Sequence, residues 1–128
     1  MDERTTEILN RFQTSWIKTE KYFDHLIDNC PGFDKLKPVR QFIAKLKQKG
    51  ESNFFRLGTS MHTLLLSRSV EHGLRLDQKY IKIETIENND FEVTLRDGDK
   101  IYRQYRINDL GDIKLTKILE TLRHTLVD

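Results

Sequence analysis

A chain of 128 residues buries roughly two thirds of the surface that its unfolded form exposes, enough for one core, so a single domain over residues 1–128 is expected. Its 37% hydrophobic and 33% charged residues exclude a disordered polyelectrolyte, and no window approaches the ~20 consecutive apolar residues of a membrane span. Cys30 is the only cysteine, which excludes an internal disulfide, and the opening MDERTTEILN lacks a signal peptide's apolar run, so a cytoplasmic protein that does not engage membranes is expected.

From Glu3 to Asn29, Ile8, Leu9, Phe12, Trp16, Thr19, Phe23, Leu26 and Ile27 fall on one side of a helix, and Asn29, Pro31 and Gly32 supply its stop. Such a helix runs about 40 Å, longer than the ~36 Å diameter of a compact chain of this size. It must span the whole domain, break, or project toward a second subunit. Trp16 is therefore the candidate interface residue, and Cys30, following the stripe, is expected to be a packed thiol.

The next stretch, KLKPVRQFIAKLKQKG (Lys35 to Gly50), contains six Lys or Arg and no acid, yet its pattern is helical, with Pro38 in the first turn and Gly50 as the stop. Val39, Phe42, Ile43 and Leu46 form the apolar stripe, with Arg40 and Lys47 on one margin and Lys45 on the other. That arrangement suits a core helix whose long cations cover the edges of a buried stripe and keep their charges wet.

The period then changes. KYIKIETIE, DFEVTLR and KIYRQYRI alternate β-branched or aromatic residues with polar ones, and Asn88-Asn89 and Asp97-Gly98 between them are turn chemistries, which predicts hairpin-connected neighbours. Residues 59–73 are ambiguous between helix and strand, with strand favoured, while Gly58-Thr59-Ser60 reads as a plain turn in preference to an anion-binding loop. Asp109 and Asp112 precede a last helix with Leu115, Ile118, Leu119, Leu122 and Leu126 on one face. The expected fold class is α+β: a long N-terminal helix, a second helix, an antiparallel four- to five-stranded meander, and a C-terminal helix packed on one sheet face.

Chemistry is sparse by comparison. His25, His62, His72 and His124 include no pair at ligand spacing, the six glycines build no phosphate loop, and Asp97 with Asp99 flank a hairpin glycine, where acids serve turn geometry. No metal or cofactor is expected. Arg103 depends on the register of the last hairpin. A three-residue loop pairing Val93 with Ile101 places Arg103 among apolar residues as an anion clamp, whereas a two-residue turn pairing Leu95 with Lys100 sets it against Glu92 as an ion pair.

Three functional readings follow. The leading one is a non-catalytic protein-interaction module of the adaptor, antitoxin or immunity kind, binding a protein partner or a second copy of itself. An alternative is a nucleic-acid-binding protein that uses the basic middle third (Arg40, Lys45, Lys47) with Tyr102, Arg103, Tyr105 and Arg106 of the sheet. A third is a small enzyme built on His62 or His72.

Overall fold

The structure is a computed structural model and describes residues 3–69 and 79–125. The helix α1 runs unbroken from Glu3–Asn29, and α2 covers Lys37–Gln48. Five strands follow: β1 Arg56–Ser60, β2 Thr63–Ser67, β3 Lys79–Thr85, β4 Phe91–Asp97 and β5 Lys100–Ile107. The last helix, α3, is Ile113–Arg123. The strands pair in chain order as an antiparallel meander, β1-β2-β3-β4-β5, with α3 packed against the sheet. The α+β fold read from the periodicity is the fold observed.

The sheet's alternation builds its two faces. Rows of paired residues cross it, such as Leu57, Leu66, Ile81, Leu95 and, one row along, Leu64, Ile83, Val93. These side chains form one apolar cluster with Trp16, Phe23 and Leu26 of α1, Val39, Phe42, Ile43 and Leu46 of α2, and Leu115, Ile118 and Leu122 of α3. We call this the inner face. The opposite, outer face carries Arg56, Ser67, Tyr80 and Arg96 in one row and Gly58, Leu65, Lys82, Thr94 and Gln104 in the next.

The local stops are those the sequence suggested. Gly32 and Gly50 adopt φ of 89° and 81° just after α1 and α2, conformations that cost a Cβ-bearing residue about 1 kcal/mol or more. The Asp112 side chain caps α3 by accepting from the Lys114 N–H at 2.9 Å. Asn88, Asn89 and Gly98 supply the positive φ of the two later hairpins.

Other expectations need correction. Gly58-Thr59-Ser60 is strand, not turn: it belongs to β1, and the turn falls one step later at Met61-His62, where Met61 takes φ 56°. The ambiguous segment is thus the end of β1, a hairpin and β2, and its last residues, with His72, lie outside the described residues, as does Leu126. The helix α1 neither breaks nor buries its whole length. Phe12 is the first buried side chain, so about two and a half turns precede the core.

Candidate functional site

A sheet of five strands has two edges, and each edge leaves alternate backbone N–H and C=O groups without a ladder partner. Along β1 the side chains of α1 fill that role. The Ser15 hydroxyl accepts from the Leu57 N–H at 3.0 Å while donating to the Phe12 carbonyl. The Trp16 indole N–H donates to the Phe55 carbonyl at 2.8 Å, and the Tyr22 hydroxyl donates to the Met61 carbonyl at 2.8 Å. Ser15 and Tyr22, seven residues or about two helical turns apart, share one side of α1, as a helix running along a strand requires. Trp16, expected at an interface with another subunit, is fully buried and belongs to this chain's own core.

Among the described residues, no side chain bonds the other edge, β5, in this way. Asp97 pairs with Lys100 across the Gly98-Asp99 turn, Arg96 with Ile101, and then Leu95 with Arg103, so a bulge takes up Tyr102. Neither anticipated register is correct. The turn has two residues, as in the second alternative, but it pairs Asp97 instead of Leu95 with Lys100, and the bulge then moves Arg103 one step on, from Thr94 to Leu95, where it ends the apolar row Leu57, Leu66, Ile81, Leu95. Beyond the bulge the ladder is regular. Alternation from the Asp97–Lys100 closing pair points the backbone groups of Gln104 and Arg106 away from β4, into the open edge.

Charge is arranged differently on the two sides of this edge. On the outer face Arg106 bonds Asp90 at 2.9 and 3.0 Å, Lys82 pairs with Glu84 at 2.6 Å, and the Gln104 amide donates to Glu92 and Thr94. On the inner margin Lys79 and Arg103 lie 5.6 and 4.9 Å from the centre of the Tyr102 ring, and Lys114 lies 5.6 Å from that of Tyr105. Among the described residues, none of these three cations forms an ion pair with a carboxylate. Tyr102, 51% exposed, adds apolar surface at the same place, while Ile101, 55% exposed, lies opposite Arg96 on the outer face. Four residues singled out from the sequence, Tyr102, Arg103, Tyr105 and Arg106, are thus brought together on one strand. Lys79 and Lys114 were missed because nothing in their local sequence marks them as neighbours of those tyrosines.

The candidate cations of α2 do not join them. Arg40 bonds Asp24 at 2.8 Å and Glu20 at 3.1 Å, and Lys47 bonds Glu20 at 2.8 Å, so this margin of α2 clamps it to α1. The hydrogen bond with Asp24 holds the Arg40 guanidinium above its ordinary pKa against the opposing effect of burial. Lys45 instead borders a hollow of about 530 Å³ between α2 and α3, where Lys45, Lys49 and Arg123 face Glu51, Asp109 and Glu120 over a floor that includes Phe42 and Phe91. Beside it, Arg123 covers the Phe54 ring at 3.7 Å and Arg68 donates to the Phe54 carbonyl. Burial, then the charge of Arg123, lowers the Arg68 pKa. A larger groove, about 920 Å³, lies between α1 and the β1-β2 hairpin. Both concavities carry acids and bases together, so neither selects an ion of one sign. His62 lines neither: its ring packs on Phe33 with centroids 4.4 Å apart.

Among the described residues no His, Cys, Asp or Glu cluster has the makings of a metal site, and no helix is long and apolar enough to cross a membrane. The fold and its edge define a small α+β chain with a five-stranded antiparallel meander closed on one side and open on the other. Comparison with protein-family models, curated proteins and solved structures yields no match.

Proposed function

We propose that the protein is a non-catalytic interaction module that docks a partner protein along β5 by adding a strand to the sheet. The observation that carries this reading is the asymmetry of the two edges. Ser15 bonds Leu57 within the β1 edge and Trp16 and Tyr22 bond Phe55 and Met61 at its two ends, while among the described residues no side chain bonds the outward backbone groups of β5, near which Ile101 and Tyr102 are exposed. A strand kept solely from aggregating would carry charge without large exposed apolar side chains. Backbone pairing would supply affinity and the flanking side chains selectivity.

The test follows from the direction of the Gln104 amide. Proline at an outward-facing position of an edge strand removes a docking N–H and leaves the β4-β5 ladder intact. Gln104→Pro should retain the circular dichroism spectrum and lose partners that the unaltered protein captures from its native extract. Identical recovery by both proteins, or none by either, would remove the reading. The nucleic-acid alternative is weakened because Arg40 and Lys47 are engaged with acids of α1.

A further inference from the structure

Resting on the reading of β5 as a docking edge, we infer that the segment it takes is an extended peptide acidic on one face, with carboxylates at alternate positions. Its length would match the regular part of β5, Arg103 to Ile107.

Two properties of the edge argue for this. Side chains of an added strand alternate between the two faces of the sheet. Those directed to the inner margin meet Arg103 and Lys114, cations held over tyrosine rings with no carboxylate paired to them among the described residues. Those directed to the outer face meet Gln104 and an Arg106 already neutralised by Asp90. Carboxylates at every second residue satisfy the first row without burdening the second.

The same charges decide against two other occupants. A second copy of β5, a strand with Lys100, Arg103 and Arg106 and no acid, would bring cations alongside cations, which repel. Single-stranded nucleic acid would need the tyrosine faces for base stacking, but Tyr102 and Tyr105 already hold the protein's own cations. A phosphodiester also has no N–H with which to continue a backbone ladder.

The experiment titrates the isotopically labelled protein with three capped octapeptides that alternate threonine with Glu, Gln or Lys, and with oligothymidylate. The Glu peptide should shift the β5 amide signals and bind about tenfold or more tightly than the Gln peptide, from several charge pairs each contributing a small factor, and the Lys peptide should not bind. Raising the salt should narrow that difference, because these charges are exposed. Arg103→Gln should weaken the Glu peptide several-fold, Arg106→Gln far less, and Gln104→Pro should abolish binding. Equal affinity for the Glu and Gln peptides, with binding still lost in Gln104→Pro, would overturn the acidic preference and leave the docking edge standing. Binding unaffected by Gln104→Pro, or oligothymidylate binding more tightly than the Glu peptide, would overturn the docking edge itself. No shift of β5 signals by the Glu peptide at millimolar concentration would overturn the acidic preference. Should Gln104→Pro fail to fold, the contrast between Arg103→Gln and Arg106→Gln still decides the acidic preference.

Discussion

Single side chains in this protein take their meaning from what the chain brings beside them. Arg103 would be an ordinary edge cation opposite Glu92, but opposite Leu95 it becomes the charged end of an apolar row. Met61 illustrates the cost of a local conformation. It sits 78% exposed at φ 56° in the β1-β2 turn, in the left-handed region where a Cβ meets the following carbonyl. Met61→Gly should stabilise the fold by up to about 1 kcal/mol, part of the relief being offset by the greater freedom of glycine in the unfolded chain. Urea unfolding checks this, and the Tyr22 bond persists because it ends on the Met61 carbonyl.

At the scale of elements, α1 does two jobs through two of its sides. Its apolar side enters the core, and Ser15, Trp16 and Tyr22 hydrogen-bond the backbone along the β1 edge and at its ends. Ser15→Ala would leave the buried Leu57 N–H without an acceptor, and the cost should be about 1–3 kcal/mol, far above the few tenths typical of a surface substitution. A melting temperature unmoved by that change would show that the edge has another acceptor. The clamp between α1 and α2 converges on Glu20, which receives both Arg40 and Lys47 and whose side chain is only 16% exposed. Glu20→Gln keeps the shape and removes the charge. We expect a loss of about 1 kcal/mol, part of it vanishing at high salt, because Lys47 is half-exposed and salt screens exposed charges. Equal losses at low and high salt would contradict an ionic origin.

For the whole molecule, residues from all three helices and all five strands meet in one apolar cluster. A single cluster predicts a single cooperative transition. The only tryptophan, Trp16, lies fully buried within it, so its fluorescence reports the core while circular dichroism reports the backbone. The two melting curves should coincide, and separated midpoints would reveal an α1 that detaches before the sheet unfolds.

Much of this architecture is legible in the order of the residues, because helix and strand periods are local properties. The stripe Phe12, Trp16, Phe23, Leu26 marks α1, and the alternation in β3, β4 and β5 marks the sheet, down to the Asp112 cap and the Asn88-Asn89 turn. The five residues of β1 were harder to read, since Gly58 and Ser60 are as common in turns as in strands. What periodicity cannot carry is the count of residues across a pair of strands. A bulge leaves the alternation on either side looking regular while shifting every partner beyond it, and for that reason the position of Arg103 was missed. Long-range encounters are equally silent: Lys79 and Tyr102 are close only because β3, β4 and β5 pair in order, and Arg40 meets Asp24 only because α2 folds back on α1. The sequence by itself determined the element types, their order and the core-facing residues, since these follow from local periods and turn chemistry. Only the tertiary structure decided which sheet edge is closed, which cations are neutralised within the chain and which are left facing outward, because those depend on register and on the packing of distant segments.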